Sequence, residues 1–560
     1  MATASSASVT NRTIENVGQP RYSRRETLLT MLSVLLVLLL SSLDQTIVST
    51  ATPRIVADLQ GFDRYTWITT AYLLTSTVTV PTYGKLSDMF GRKPIFIFGL
   101  SVFLVGSALS GAASSMNQLI VFRAFQGVGA GALVPIAIAI VGDLFTPRER
   151  ARWQGVTGAV FGLSSIIGPL VGGWLTQYAS WRWIFYVNLP LGIIALLTAI
   201  FLMPVLRSAT RQGNIDYVGV ALLIIGTVPL LLGFTWAGTP YSWLSPQIIG
   251  LLAFSVLALT AFVIYEAYLE RCGGQPIIEP SLFRNSIFTV SAIVTTVFGM
   301  GLFGSIFFIP LFVQGVLGTS VANSGFILTP LIVTAVAASI LSGQLVARLG
   351  RYKWIAITGM IVSLVGGLLL LRLNLHSTTT DVLIAMLVMG FGMGTGMSLY
   401  TLIVQNALPR SKLGQATAAL TFFRSIGGTI ALAVMGSIMN STYYPAFFNA
   451  LPPGVKRVLP PRVLVTFKNP EILLSPAMLA QARQTFVRLG PQGLILFNQV
   501  ITAVKIGLVQ GIHNVFLLSV AILTIGLISL FFLKEIELKG GSTATKPTVE
   551  ARVDAASVPV

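Results

Sequence analysis

The sequence predicts an all-α membrane protein with fourteen transmembrane helices. Of its 560 residues, 54% are hydrophobic and only 10% are charged, whereas a soluble domain carries about 25% charged residues. Apolar runs of about twenty residues recur along almost the whole chain, and each can cross a bilayer core of roughly 30 Å. Most of this chain therefore cannot face water.

Windows of about nineteen residues locate the predicted transmembrane helices one after another. They cover residues 28–50, 66–84, 95–114, 118–141, 155–177, 183–204, 216–237, 246–268, 286–313, 322–347, 354–372, 381–403, 414–437 and 511–533. Because this number is even, both termini are predicted to lie on the same side of the membrane.

The basic residues of the short loops predict which side that is. With a cytoplasmic N-terminus, most of these Lys and Arg residues are cytoplasmic, and the short loops on the other side hold only Arg54, Arg64, Arg182 and Arg372. Basic loops stay in the cytoplasm. We therefore expect a multi-pass protein of the plasma membrane, or of the bacterial cytoplasmic membrane if the source is prokaryotic, with both termini cytoplasmic.

The net charge of +18 would suggest a nucleic-acid partner in a soluble protein. Here the basic residues flank the spans, where they set topology, so the predicted partner is a lipid bilayer and not a nucleic acid. The single cysteine, Cys272, excludes an internal disulfide and a multi-cysteine metal site. No metal is predicted.

An internal repeat relates the two parts of the chain. Gly84–Lys93 and Gly343–Tyr352 share Gly, Leu, Gly and Arg at an offset of 259 residues, and the glycine triplet Gly127–Gly131 is echoed by Gly392–Gly396. Duplicated halves with a site between them are typical of transporters that rock between two states.

The repeat divides the chain into five predicted parts. They are a cytoplasmic N-terminal tail (1–27), a six-helix half (28–204), two inserted helices with linkers (205–285), a second six-helix half (286–535) that includes a long external loop (438–510), and a disordered cytoplasmic tail (536–560). Within the long loop, Ser475–Leu489 has helical periodicity and is expected to be a surface helix that rests on the bundle rather than a functional lid.

Five motifs occur in order on these spans. They are Leu43–Pro53 in the first span, Gly84–Pro94 after the second, Arg123–Gly127 in the fourth, Gly162–Gly173 in the fifth and Trp181–Pro190 at the entry of the sixth. Together they resemble the fourteen-helix drug/proton antiporters of the major facilitator superfamily, the multidrug efflux permease type. The resemblance runs from about residue 28 to residue 535.

The resemblance implies the major facilitator fold, with two inserted helices between its halves. It also implies export of lipophilic or cationic small molecules by alternating access, driven by the proton gradient and without a cofactor. The chain contains no Gly-x-x-x-x-Gly-Lys-Ser/Thr loop, so ATP is not expected to drive transport.

Asp44 is the one acidic residue that lies well inside a predicted span. An ionisable group in hydrocarbon is costly and is a functional hypothesis by default. Burial disfavours an ionised carboxylate and a nearby cation favours it, so a conformational change could load and release a proton. Arg123 lies at a similar depth in the fourth span and is the predicted partner for proton coupling. The alternative is a structural ion pair.

Gly84, Asp88, Gly91 and Arg92 lie at the predicted inner membrane surface. The resemblance implies that this motif locks the cytoplasmic side during the transport cycle, because charges that pair in one state only bias a two-state equilibrium. The alternative is that these charges set only the topology.

The glycines of the fifth span are Gly162, Gly168, Gly172 and Gly173, with Pro169 among them. Proline removes one backbone hydrogen bond and kinks a helix, and small residues let a neighbouring helix approach closely. Both effects suit a helix at a moving interface, although close packing alone would need the same residues.

A substrate pocket is predicted from one charge and two sets of apolar side chains. Arg424 lies in the thirteenth span, and it either binds an anionic group of the substrate or is satisfied by carbonyls and Gln405. Flexible methionines and aromatic rings suit a pocket that accepts varied ligands. The candidates are Met389, Met393 and Met397 in the twelfth span and Phe303 and Phe307 in the ninth. Core or lipid contact is the alternative for each of them.

One other function stays open, and two are not predicted. A dedicated exporter or importer of a single metabolite, such as a siderophore, an amino acid or a natural product, would have the same fold. An enzyme is not predicted, because one carboxylate and two arginines do not make a convincing catalytic set. A channel would need polar rings along a pore, and the sequence indicates none.

Overall fold

The computed structural model describes residues 23–536 except 60–63, 65–66, 205–213, 239–240, 319–320, 459–466, 468–472, 474–475 and 488–490. Over these residues the predicted all-α class is confirmed. The only extended pairing in the described part is an isolated bridge between Ala237 and Tyr241. The side chains of 302–307 and of Met397 also lie outside the described residues.

The helices follow one another with short connections along most of the chain. Their bounds are α1 Arg24–Asp58, α2 Trp67–Phe90, α3 Arg92–Ala112, α4 Met116–Leu144, α5 Pro147–Tyr178, α6 Trp183–Tyr186, α7 Asn188–Phe201, α8 Tyr217–Trp236, α9 Pro246–Arg271, α10 Ser286–Gly315, α11 Val321–Leu349, α12 Lys353–Leu371, α13 Thr379–Ala407, α14 Leu413–Ala450, α15 Pro453–Val458, α16 Pro476–Val487 and α17 Pro491–Phe531. Every predicted span coincides with helix.

Twelve helices among the described residues are long and apolar enough to cross a membrane. The two predicted spans outside this set correspond to α2 and α10. Helix α2 is rich in threonine, which lowers its mean hydropathy, and only Ser286–Gly301 of α10 forms a continuous described apolar segment. The protein is thus a multi-pass membrane protein, and fourteen spans stay a prediction.

The helices form two bundles with a helix pair beside them. The first bundle contains α1–α7 and the second contains α10–α14 and α17, while α8 packs on α9 and also contacts α2 and α14. The two bundles meet where α2 packs on α14 and where α5 packs on α11. The predicted site residues therefore lie within the first bundle, within the second, and at the seam between them.

Close approach at glycines shows how the internal repeat is built. A Cβ at Gly129 of α4 would overlap the backbone of Phe103 in α3, and a Cβ at Gly392 of α13 would overlap the backbone of Ser363 in α12. Gly129 and Gly392 are thus structural equivalents. The sequence analysis aligned Gly127 with Gly392. The structure aligns Gly129 with Gly392 instead, so the alignment of the two halves shifts by two residues at this motif.

The predicted external loop 438–510 is partly helical. Helix α14 continues to Ala450 and α17 begins at Pro491, because a helix can extend beyond the apolar window that hydropathy detects. The predicted surface helix is confirmed as α16. Its Phe486 is 1% exposed and packs edge-on against Phe497 of α17, with 5.5 Å between ring centroids.

Candidate functional site

The structure brings the predicted pair Asp44 and Arg123 together inside the first bundle. Arg123 Nη1 donates a hydrogen bond of 2.8 Å to Asp44 Oδ2. Asp44 is 0% exposed and Arg123 is 1% exposed. A buried ion pair of this kind needs further hydrogen bonds to offset the loss of water around both charges.

Two amide side chains supply those hydrogen bonds. Gln126 Nε2 donates to Asp44 Oδ1 at 2.8 Å, and Asn188 Nδ2 donates to the same oxygen at 2.9 Å. Asn188 Nδ2 also donates to Ser107 Oγ at 3.0 Å. The carboxylate of α1 is therefore held by side chains of α4 and α7. Gln126 and Asn188 lie within two of the five sequence motifs, but the sequence did not predict that either residue belongs to this site.

The guanidinium of Arg123 is enclosed on its other sides. Nη1 also donates to Gln126 Oε1 at 2.7 Å, and Nε donates to the Ile68 carbonyl at 3.4 Å. Its carbon lies 4.2 Å from the centroid of the Tyr72 ring and 5.7 Å from that of Phe185. Aromatic faces stabilise a desolvated cation, so the cation stays in place beside a carboxylate that water does not reach.

The motif Gly84–Arg92 forms a second charged cluster, at the end of the bundles that the charge bias predicts to be cytoplasmic and that we call the inner end. Arg92 Nη1 lies 2.5 Å from Asp88 Oδ1, and Nε donates to Asp143 Oδ2 at 2.8 Å. Gly91 precedes α3 with φ of 95°, a conformation that favours glycine. This turn places Arg92 between the two carboxylates.

Asp88 also binds the second bundle across the seam. Its Oδ1 accepts from the backbone N–H of Gly414 at 3.1 Å and its Oδ2 from that of Gln415 at 2.7 Å. These groups lie in the first turn of α14, where free N–H groups and the helix dipole favour an anion. Gly84 permits the approach, since a Cβ there would overlap Ala418. Burial raises the pKa of the Asp88 carboxyl, and Arg92 opposes that rise.

The linker between α9 and α10 lies over the same seam. Gln415 Nε2 donates to the Ile277 carbonyl at 2.6 Å. Glu279 forms ion pairs with Lys412, in the turn before α14, and with Lys85 of α2 at 3.6 Å. The linker thus contacts both bundles at the inner end, an arrangement that the sequence did not predict.

A network centred on Gln405 joins the bundles a little deeper. Gln405 Nε2 of α13 donates to Thr417 Oγ1 at 3.1 Å and to the Ile138 carbonyl of α4 at 3.3 Å. From α5, Gln154 Nε2 donates to Gln405 Oε1 at 3.1 Å, and Arg150 Nη1 donates to the Gln405 carbonyl at 3.2 Å. Together with Asp88, this network joins the two bundles at the inner end.

The glycines of α5 face two different neighbours. A Cβ at Gly162 would overlap Val336 of α11 across the seam, whereas one at Gly168 would overlap Thr46 of α1, inside the first bundle. A Cβ at Gly172 would meet Thr50 of α1, and one at Gly173 would meet nothing within 4 Å. Pro169 lies inside the same helix. Gly162 therefore permits close packing between the two bundles, whereas Gly168 and Gly172 permit close packing of α5 on α1, the helix that carries Asp44.

The predicted pocket residues separate in the structure. Arg424 lines a small cavity of about 20 Å³ between the bundles. Met389 and Met393 are 0% and 2% exposed and belong to the core of the second bundle; neither lines this cavity. A methionine every three or four residues has the period of any buried helix face, so core packing satisfies it equally well. The side chains of Phe303, Phe307 and Met397 lie outside the described residues.

Asp44 is not the only carboxylate that the protein buries. Glu266 of α9 is 1% exposed and faces Asp216 at the start of α8, which is 8% exposed. No basic side chain among the described residues pairs with either group. By contrast, Asp381 is exposed and caps α13 through Thr378. A proton-coupling test must therefore consider Glu266 beside Asp44.

Comparison with known proteins identifies a family of membrane transporters. The family profile described as Major Facilitator Superfamily matches residues 34–432. The chain is 37% identical over 552 residues to "Multidrug transporter protein MdtP" of Bacillus subtilis, covering 96% of this chain and 98% of that protein. It is 34% identical over 519 residues to "Multidrug resistance protein 3" of the same organism, covering 92% and 97%.

Solved structures share the architecture at low identity. The human organic anion transporter MFSD10 (TETRAN) matches with a TM-score of 0.57 and 15% identity, over 90% of this chain and 100% of the other. The proton:xylose symporter XylE matches with a TM-score of 0.54 and 14% identity, over 92% and 98%. At these identities the likeness shows the fold alone.

Proposed function

The chain belongs to the Major Facilitator Superfamily, a family of membrane transporters rather than enzymes, and from this membership we propose that it is a proton-coupled exporter of lipophilic small molecules. It works by alternating access as a multidrug efflux antiporter. The proposal is supported by relatives with multidrug names that match almost the full chain, and by one site. That site is the Asp44 cluster, which carries the argument for coupling.

The Asp44 cluster has the parts that a proton carrier needs. A carboxylate binds a proton only when its surroundings change between two states. Here the partners of Asp44 come from two other helices, since Arg123 and Gln126 belong to α4 and Asn188 to α7. A shift of α1 against either helix would alter the contact with the guanidinium. Amide side chains can donate to a carboxylate and accept from a carboxylic acid, so both protonation states keep partners.

The inner end controls the other step of the transport cycle, the entry of substrate from the cytoplasm. Substrate enters from the cytoplasm only when the contacts of Asp88 with α14 and of Gln405 with Gln154 have parted. The described conformation is thus the one with the inner end closed. Proton entry along the membrane potential delivers about 2.3 kcal/mol per 100 mV for each charge, which can drive substrate outward against its gradient.

The test is transport by purified protein in sealed proteoliposomes with an imposed pH gradient. The substrates are a panel of neutral, cationic and anionic lipophilic dyes. Asp44→Asn keeps the shape of the side chain but cannot ionise, so gradient-driven export of every transported dye should be lost. Asp381→Asn is the matched control, because Asp381 is exposed and contacts its own helix cap; it should export at the wild-type rate.

Wild-type export that does not respond to the pH gradient would overturn the proposal. Gradient-driven export at the wild-type rate by Asp44→Asn would remove Asp44 from coupling. The same assay on Glu266→Gln would then test another buried acid outside the inner motif.

A further inference from the structure

Arg424 is the charged residue in the cavity between the bundles. It lies on α14, about eleven residues or roughly 16 Å from the inner end of that helix at 1.5 Å per residue. The cavity is lined by Ile138, Gln154, Thr157, Gly158, Phe161, Thr401 and Arg424. These residues come from both bundles, and they combine apolar surface with amide, hydroxyl and guanidinium groups.

The guanidinium makes no hydrogen bond or ion pair with another described residue. The sequence left open that Gln405 satisfies it, but the side chain of Gln405 binds Thr417, Ile138 and Gln154 instead. No carboxylate lines the cavity. Arg424 is therefore a positive charge in a partly desolvated site, without a compensating anion in the described part of the protein.

Packing against α10 fixes where this charge lies. A Cβ at Gly299 would overlap the backbone carbonyl of Arg424 and would lie 3.1 Å from its Cγ. Glycine thus lets α10 press directly on α14 at this position, which limits how the arginine stem can move. A guanidinium presents planar paired donors, the geometry that matches a carboxylate or a sulfonate.

We propose that the cavity at Arg424 binds the acidic group of an amphipathic organic acid, with the apolar part of the substrate against Ile138 and Phe161. The inference rests on the proposed export function and narrows its substrate class. It departs from the cationic substrates that the family resemblance implies, because an uncompensated cation in a low-dielectric cavity repels a second cation and attracts an anion. Thr401 adds a hydroxyl on the facing helix α13.

Binding at this site would bear directly on the inner gate. Gln154 lines the cavity and also donates the hydrogen bond to Gln405 that joins the bundles. An acid bound at Arg424 would therefore lie beside the hydrogen bond that joins the two bundles.

Equilibrium binding to purified protein without a gradient tests the inference. The probes are a series of aromatic carboxylates, each paired with its neutral amide and with the matching primary ammonium compound, for example 2-naphthoate with 2-naphthamide and 2-naphthylmethylammonium. Wild-type protein should bind the acid more tightly than the amide by about 10- to 100-fold, as charge-assisted hydrogen bonds predict, and the ammonium compound least. Arg424→Ala should bind acid and amide equally, and Arg424→Lys should keep part of the preference.

The amide serves as the internal control, because its unchanged affinity in Arg424→Ala shows that the pocket is intact. If that variant does not fold, the acid-to-amide comparison in wild-type protein still decides. The inference would be overturned if wild-type protein bound no carboxylate more tightly than its amide. It would also be overturned if Arg424→Ala kept the preference for acid over amide. Asp44→Asn should keep the acid preference, so a failure of proton coupling is distinguishable from a failure of this site.

Discussion

Asp88 Oδ2 accepts a hydrogen bond of 2.7 Å from the backbone N–H of Gln415, and this contact links two residues 327 positions apart in the chain. It joins the inner end of α2 to the first turn of α14, and Arg92 holds the same carboxylate at 2.5 Å. The acid thus interacts at once with a cation of its own bundle and with the helix terminus of the other. Opening the inner end must separate the second interaction while the first can remain.

The first prediction concerns this contact. In Asp88→Asn the side chain loses its charge, so the attraction to the α14 terminus weakens. Hydrogen bonds to charged groups contribute about 1.5–3 kcal/mol, which is enough to shift the balance toward the inward-open state by tenfold or more. With the exposed Cys272 replaced by Ala and Thr157→Cys as reporter in the cavity, we expect faster labelling by a hydrophilic maleimide from the inner side.

Glu149→Gln is the control for this labelling experiment. Glu149 lies near the inner end but only caps α5 through Thr146, so labelling should stay at the background rate. An Asp88→Asn protein that labels no faster than Glu149→Gln would show that the inner end is held closed by other contacts.

The Asp44 cluster shows which features of the site can be predicted from the sequence alone and which cannot. Depth along a helix follows from position in the chain, so the sequence alone matches Arg123 to Asp44. Rotation about the helix axis does not follow from position, and neither does the order of helices in the bundle. Asn188, which lies 144 residues from Asp44, is therefore visible in the sequence only as a polar residue in a motif.

The contacts between the two bundles are harder to predict from the sequence for the same reason. The contact of Gln405 with Gln154 depends on how two bundles sit against each other, and hydropathy carries no information about that placement. Met389 and Met393 show the reverse problem, since a buried core and a substrate pocket impose the same helical period. In contrast, all predicted spans coincide with helices, because burying about twenty apolar residues in a bilayer leaves few alternatives.

The second prediction separates the glycines of α5. A methyl group at Gly168 would overlap the Thr46 hydroxyl, which donates to the Ser164 carbonyl at 3.2 Å. Gly168→Ala should therefore push α1 away and lower the stability by about 1–3 kcal/mol, as overpacking does, with slower transport. Gly173→Ala on the same helix meets open space and should match wild type. Thermal unfolding in detergent and initial export rates would measure both effects.

Equal unfolding temperatures and rates for the two alanine variants would contradict the assignment of Gly168 to the α1 contact. A loss in Gly173→Ala alone would instead point to a lipid or partner contact on the opposite face of α5.

The third prediction concerns orientation. Reporter fusions after Arg207 and after Arg410 should be active as cytoplasmic reporters, and a fusion within Lys456–Arg488 should be active only as an external one. The charge bias of the short loops and the even number of predicted spans motivate this expectation. A cytoplasmic signal from Lys456–Arg488 would remove the fourteen-span topology, and an external signal after Arg207 and Arg410 would reverse the assignment of the inner end.

The last prediction concerns the cation beside Asp44. Arg123→Ala leaves the Asp44 carboxylate buried with the amides of Gln126 and Asn188 but without a positive charge. A nearby cation favours the charged form of a carboxylate, and this variant removes that interaction. We expect the pH optimum of gradient-driven export to move upward, with a lower maximal rate. Arg182→Ala is the matched control, since Arg182 lies in the same bundle, is partly exposed and does not contact Asp44: it pairs loosely with Asp58 at 3.9 Å and donates to the Ala113 carbonyl at 2.9 Å. Its pH profile should equal that of the wild type. An Arg123→Ala profile that is unshifted, or shifted downward, would show that the guanidinium holds the helices together without tuning the proton site.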